Sequence, residues 1–256
     1  MCTVTVLPPE RLAMADSSEG AAMCRVVCNR DERRSRAAAL PPRIWRSAGI
    51  SVWSPFDPES GGTWIAVTDR GLVFTVLNVT RDGPRTDRQT ACPTSRGLII
   101  PALAGSHTLE DVRRKVAELN PRAFAAFRAL VVGDGRILDV LAVDGRVRCS
   151  TRPLAAPTLR TSSSLGDWCV QLPRRRLFTR LLRDSDAASA QDRFHHHCWA
   201  DRPAISVQMQ RDDACTVSRT TIEVHERAAF CTYEPLAAGA GGDRRVWRLP
   251  LCPRSS

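Results

Sequence analysis

The chain opens on an alternation: residues 2–7 read Cys-Thr-Val-Thr-Val-Leu, with apolar and hydroxyl side chains exchanging places. Period two belongs to a strand, so 2–7 is predicted to begin a sheet. Residues 8–22 lose the period and read as a connection. An apolar run at 23–28 predicts a short second strand that presents Asn29, Arg30, Asp31 and Glu32 at its C-terminal end. Residues 33–60 carry Arg, Pro and Ser without periodicity and are expected to form a long loop. Gly61-Gly62 then opens a hairpin, with strands at 63–68 and 72–78 around an Asp69-Arg70-Gly71 turn. The polar stretch 80–94, with Pro84 and Pro93, reads as an exposed loop.

Thr108-Leu109-Glu110-Asp111 has the pattern of a capped helix start, running to about Leu119 and stopped by Asn120-Pro121. Three short strands are predicted at 128–132, 137–143 and 146–150. Gly133-Asp134-Gly135 and Asp144-Gly145 separate them with hairpin chemistry. Residues 153–165, rich in Pro, Ser and Thr, read as a loop. A helical stripe of Leu172, Leu177, Phe178, Leu181, Leu182 and Phe194 fills 170–197. Strands return at 204–209, 215–226, 228–233 and 244–249. Two groups of strands with helices between them predict one layered α+β domain over 1–256, without internal repeats.

Composition narrows the function classes. A chain of 256 residues buries a substantial core, and 43% hydrophobic with 25% charged residues fits a soluble globular protein. No apolar run approaches the ~20 residues that cross a bilayer. Pro8, Pro9, Glu10 and Arg11 interrupt the start, which argues against a secretory signal. The ten cysteines are irregularly spaced and contain no CxxC pair, so they are expected to be reduced thiols in the cytoplasm.

A formal charge of +10 suggests a polyanion partner. The arginines are scattered, however, with only short runs such as Arg33-Arg34 and Arg174-Arg175-Arg176, and no aromatic residues alternate with them for base stacking. Nucleic acid is therefore not expected as a partner. Consecutive His195-His196-His197 on a helix would point about 100° apart, which does not suit one tetrahedral ion. Neither a metal nor a cofactor is expected.

The position of Cys2 carries the candidate chemistry. If Met1 is removed, the residue with the thiol also holds the free α-amine. The two groups have ordinary pKa values near ~8.5 and ~8, so a proton passes between them close to neutral pH. This is the N-terminal nucleophile arrangement, in which a side chain is activated by its own amino group. Such a site needs an acceptor for the amine, a cation to tune the thiolate, and a donor for the tetrahedral oxyanion. Asp31, Arg30 and Asn78 are the candidates for these three roles.

Several motifs fall in one order: Met-Cys-Thr-Val at the start, Asn29-Arg30-Asp31-Glu32 with Ser35-Arg36, Gly61-Gly62-Thr63-Trp64-Ile65, Leu77-Asn78, and Ser95-Arg96-Gly97-Leu98. Together they resemble the NRDE family, also called the transport-and-Golgi-organisation protein 2 family. Met209 to Ala214, with Thr216-Val217-Ser218, is similar to its bacterial branch. The resemblance implies an N-terminal nucleophile hydrolase fold, a four-layer αββα sandwich. It also implies kinship with cysteine amidases such as penicillin V acylase and bile-salt hydrolase. In them the terminal Cys attacks an amide carbonyl and a nearby Arg and Asp support it, which here are Cys2, Arg30 and Asp31.

By the same resemblance, Asn29, Glu32 and Trp64 flank the binding site. Two departures stand out. A second Asn of the amidases is replaced by Ser162-Ser163-Ser164-Leu165, where Ser163 is the expected donor. A late Arg corresponds to either Arg211 or Arg219. The implied activity is hydrolysis of a carbon–nitrogen amide bond in a small acylated substrate. The alternative is a non-catalytic binding or trafficking protein holding a lipid, acyl or haem-like ligand.

Overall fold

The computed structural model describes residues 2–12, 18–80, 94–184, 186–236 and 243–252. All but the ends of the expected loop at 80–94 lies outside them. The first half of the chain forms β1 (Cys2–Leu7), β2 (Ala22–Arg33), β3 (Leu40–Ser47), β4 (Ile50–Phe56), β5 (Ile65–Thr68), β6 (Val73–Asn78), α1 (Ile99–Leu103) and α2 (Leu109–Glu118). The second half forms β7 (Phe127–Gly133), β8 (Arg136–Val143), β9 (Arg146–Pro153), β10 (Thr158–Thr161), α3 (Asp167–Asp184) and α4 (Ala187–His196). It ends with β11 (Ala214–His225), β12 (Ala228–Pro235) and β13 (Arg245–Pro250).

The chain divides into two compact units. One comprises Met1–Arg36 with Ala155–Arg248, the other Ala37–Leu154 with Leu249–Ser256. In the first, the strand order is β10-β1-β2-β11-β12-β13. β1 is held antiparallel by β10 on one side and by β2 on the other, so the start of the chain is an interior strand. Leu7, Leu177, Phe178, Ala187, Phe194 and Val207 form a core that joins this sheet to α3 and α4.

The second unit is a seven-stranded antiparallel meander, β3 to β9 in sequence order. Asp134-Gly135 and Asp144-Gly145 turn its later hairpins with positive φ at both residues (52° and 64°, 53° and 70°). Its core gathers Val52, Ala66, Phe74, Phe127, Val131 and Val140 beneath Ile100 of α1 and Val112 and Val116 of α2. α2 starts at a capping box: Thr108 Oγ1 accepts from Asp111 N while Asp111 Oδ2 accepts from Thr108 N.

Several expectations are corrected. The loop expected at 33–60 contains the β3–β4 hairpin, whose turn places Ala48 and Gly49 at φ 50° and 83°. Asn29 to Glu32 lie inside β2 rather than beyond its end, because β11 pairs with β2 as far as Arg33. The loop expected at 153–165 contains β10, which completes the pairing of β1. Helix 170–197 is two helices, with Asp186 capping the second by accepting from Ala188 N and Ser189 N. The strand expected at 204–209 is instead led by a single 3-10 turn, Pro203–Ile205.

Candidate active site

Strand register decides which side chains meet. Cys2 stands opposite Arg30, and Val4 opposite Cys28. Across β2, Ser218 stands opposite Arg30 and Thr220 opposite Cys28, and Tyr233 of β12 continues the second row. Opposite residues share a face and successive residues alternate between faces. One face therefore carries Cys2, Cys28, Arg30, Ser218, Thr220 and Tyr233. The other carries Thr3, Thr5, Arg25, Asn29, Asp31 and Arg219. A bulge at Val217 resets the register, so that Thr216 rather than Val217 stands opposite Asp31.

Cys2 is buried, with 4% of its surface exposed. Its backbone nitrogen donates to Ser162 Oγ at 3.1 Å, and Ser162 N donates back to its carbonyl at 3.0 Å. The Cys28 thiol hydrogen-bonds the Cys2 sulfur, and this bond is the main reason the Cys2 thiol titrates below its ordinary range. Burial opposes the shift, the positive chain terminus and Arg30 favour it, and Asp31 opposes it. The same bond and burial push Cys28 well above the ordinary range. Of the two thiols, Cys2 is therefore the more acidic. The Cys28 S–H has a second acceptor nearby, the Asn29 carbonyl at 3.7 Å.

The opposite face is a buried polar network under the helices. Arg174, at 1% exposure, donates to Thr3 Oγ1 at 2.6 Å, to Thr161 Oγ1 at 2.5 Å, and to the carbonyls of Ile205 and Ser206. It thereby ties α3 to β1 at Thr3, next to Cys2, and to β10 at Thr161, next to Ser162. Burial lowers the pKa of Arg174 and raises that of Asp31, and each charge partly offsets the effect on the other. Thr216 Oγ1 donates to Asp31 Oδ1 at 2.6 Å.

His195 lies between Asn29 Oδ1 (3.0 Å from Nδ1) and Thr5 Oγ1 (2.7 Å from Nε2). Asn29 Oδ1 only accepts, so Nδ1 carries the proton and Nε2 accepts from the Thr5 hydroxyl. Burial holds this ring neutral, and Arg219 and Arg25 reinforce that.

The expected site residues thus separate. Cys2 and Arg30 share a face. Asn29 fastens β2 to α4, its amide donating to the carbonyls of His195 and Val207. Arg219 lies on the helix-covered face and is taken up by Glu234 at 2.6 Å. Arg211 pairs with Asp213 at 2.9 Å, donates to Ser164 Oγ at 3.0 Å, and lowers the pKa of Asp31. Of the two late arginines, only Arg211 bears on Asp31. Ser163 turns away, its hydroxyl accepting from Leu165 N and its own nitrogen donating to Asp167; the neighbouring Ser162 holds Cys2.

Glu32 lies 3.5 Å from Arg30 and 3.6 Å from Arg36. Trp64 and Asn78 belong to the second unit. Trp64 is buried, with its carbonyl accepting from Val76 N, and Asn78 ends β6 opposite Phe127. Sequence reasoning missed Ser162, Cys28 and Arg174. Cys28 was legible by parity, since any partner opposite Cys2 at position 30 puts position 28 on the same face. Arg174 left no such signal within its run of three arginines. Among the described residues no cluster of three or more His, Cys, Asp or Glu side chains is arranged to hold a metal ion. None of the described helices is long and apolar enough to cross a membrane.

The profile of the Transport and Golgi organisation 2 family matches residues 24–235. A comparison with curated protein sequences finds no match. Among solved structures, penicillin V acylase from Agrobacterium tumefaciens is similar over 98% of this chain and 86% of its own, with TM-score 0.52 and 14% identity. A Caenorhabditis elegans orthologue of N-acylethanolamine-hydrolyzing acid amidase is similar over 86% and 92%, with TM-score 0.54 and 12% identity. The C2A mutant of conjugated bile acid hydrolase from Clostridium perfringens is similar over 98% and 92%, with TM-score 0.53 and 7% identity. At these identities the likeness is one of fold: α+β with two antiparallel sheets, of the N-terminal nucleophile hydrolase type.

Proposed function

Because the chain belongs to the Transport and Golgi organisation 2 family and has the N-terminal nucleophile hydrolase fold, we propose that it hydrolyses an amide bond in a small acylated substrate, with Cys2 as nucleophile. The observation that carries this reading is the state of Cys2: a buried thiol with lowered pKa, at the end of a strand flanked on both sides. Burial alone does the opposite to a thiol, as at Cys24, which it pushes up to about 12. The names of the similar structures, an acylase, an acid amidase and a bile acid hydrolase, suit an acyl-amide substrate. Fold likeness by itself would not carry the activity.

In this mechanism Met1 is removed and the nitrogen beside Ser162 Oγ becomes the α-amine. Cys2 Sγ adds to the amide carbonyl, the amine passes the proton to the leaving nitrogen, and water then releases the acyl group from the thioester. Arg30, opposite Cys2, stabilises the thiolate, and Asp31 with Thr216 fixes the charge balance on the far side of β2. Two measurements test the proposal. Intact mass of the purified protein should show Met1 absent; its retention would overturn the amine-assisted mechanism. Cys2→Ala should abolish hydrolysis of an N-acyl amide panel. Turnover unchanged in that variant, or absent from the wild type across the panel, would favour a binding protein.

A further inference from the structure

A cavity of about 290 Å³ opens between α3 and residues 199–202, neither of which carries the thiol. Leu172, Pro173, Leu177 and Trp199 supply its apolar wall. Arg176, Arg180 and Arg202, all exposed, add three guanidinium groups. Only Arg202 has a carboxylate near it among the described residues, Asp201 at 3.7 Å, and its guanidinium lies 5.0 Å from the Trp199 ring centre. His197 packs edge-on against Trp199 at 4.9 Å, and its Nε2 is buried without a hydrogen-bond partner among the described residues. Burial and Arg180 lower its pKa, so the positive charge of this wall sits on the arginines.

The cavity is preformed. Arg174, one residue after Pro173, bonds the carbonyls of Ile205 and Ser206, and Ser206 Oγ accepts from Trp199 N at 2.7 Å. Both walls are thus clamped from behind by a buried side chain. Trp168 and Leu172, four residues apart on α3, are 65% and 54% exposed and extend the apolar wall along the helix. An apolar slot bordered by Arg176 and Arg180, neither with a carboxylate near it among the described residues, and by Arg202 beside Asp201, complements one kind of occupant: an alkyl body with an anionic head.

We infer that this cavity is a binding site for a monomeric medium-chain alkyl anion, the chain against Leu172, Leu177 and Trp199 and the head group between Arg176 and Arg180. At roughly 30 Å³ per water-sized group, the volume takes on the order of ten heavy atoms, head group included, so a longer chain would run out along Leu172 and Trp168. The site is independent of amide hydrolysis, since it uses none of Cys2, Cys28 or Arg30.

Titration calorimetry with decanoate, decyl phosphate and decyltrimethylammonium, each below its micellar concentration, tests the inference. Decanoate or decyl phosphate should saturate one site, and their ratio identifies the preferred head group. The cation should fail to saturate it. The double variant Arg176→Gln/Arg180→Gln should weaken anion binding about tenfold, as expected for two partly exposed charge contacts. Trp199→Phe should remove the accompanying change in tryptophan fluorescence. Equal binding of the cation, unchanged affinity in the double variant, or binding seen only with anionic vesicles and not with monomers would each overturn it. Because neither charged position has an internal partner among the described residues, the variants are expected to melt like wild type.

Discussion

Replacing Cys28 by alanine removes one hydrogen bond from the Cys2 sulfur and leaves Arg30 opposite it. A hydrogen bond to a charged acceptor contributes about 1.5–3 kcal/mol, and a thiol is a weak donor, so the low end applies. About 1.4 kcal/mol is a factor of ten in an equilibrium, so well below the titration midpoint the Cys2 thiolate fraction falls about tenfold. The rate of alkylation falls by less, because a more basic thiolate is more nucleophilic. With a Brønsted slope near ~0.45, the rate drops about threefold to fourfold at low pH and rises about threefold on the high-pH plateau.

The assay is carbamidomethylation of Cys2 by iodoacetamide as a function of pH, read by peptide mass mapping so that the other cysteines do not interfere. The two profiles should cross. A change in access to the buried sulfur would scale the rate alike at every pH and give no crossing. Cys28→Ser, which restores a donor, should return the profile toward wild type. Superimposed profiles for wild type and Cys28→Ala would refute the claim that Cys28 sets the state of Cys2.

Arg174→Met should cost about 3–5 kcal/mol in urea unfolding, because it removes the largest favourable charge acting on buried Asp31 and frees the Thr3 and Thr161 hydroxyls. Adding Asp31→Asn should recover part of that loss; strict additivity would show that the two charges are not coupled. For His195 the folded pKa is depressed, so the unfolded chain binds the extra proton. Its contribution to stability is present above pH ~6.5 and is lost as pH falls below that value toward the folded pKa, by up to about 1.4 kcal/mol per pH unit. Thermal melts should show this decline, and His195→Gln should flatten it; an equal slope in the variant would exclude His195 as its source. In the second unit a Cβ added at Gly62 would lie against the Gly97 backbone carbonyl, which itself accepts from Thr63 N. Gly62→Ala should therefore lower the melting temperature clearly, whereas Gly135→Asn, at a positive-φ position with open space, should be nearly neutral.

What the sequence revealed depended on whether local pattern and final environment agreed. β1 matches its predicted span because its alternation and its pairing point to one structure. β3 was hidden because Pro41-Pro42 with Arg43 and Arg46 looks like a loop, yet an edge strand tolerates both. Its Leu40 and Ile44 remain about half exposed. The Ala48-Gly49 turn carries positive φ at an alanine, where composition gives no warning. At 204–209 the reverse happened: Val207 and Met209 are buried like strand residues, but Gln208 N is spent on the His197 carbonyl instead of a ladder. In the site, residue types pointed to Cys2 and Arg30, but the choice of Ser162 over Ser163 needs the pairing of β10 with β1, a contact about 160 residues away in sequence.

The alternation along β2 has a consequence for how such a chain can diverge. Asn29 holds α4 to the sheet and Asp31 is held by Thr216 of β11, while Cys28 and Arg30 act on the Cys2 thiol. Two sets of constraints are thus interleaved in one strand, and Asp31, which also bears on the Cys2 thiol, serves both. If Cys2 is the nucleophile, a lineage that abandons the proposed reaction can drift at Cys28 and Arg30 while Asn29 and Asp31 stay under selection for folding. Such a descendant would keep half of the tetrapeptide and an intact scaffold. Under that proposal, reading positions 28 and 30 of β2, rather than the presence of the motif, separates relatives that retain the chemistry from those that retain only the shape.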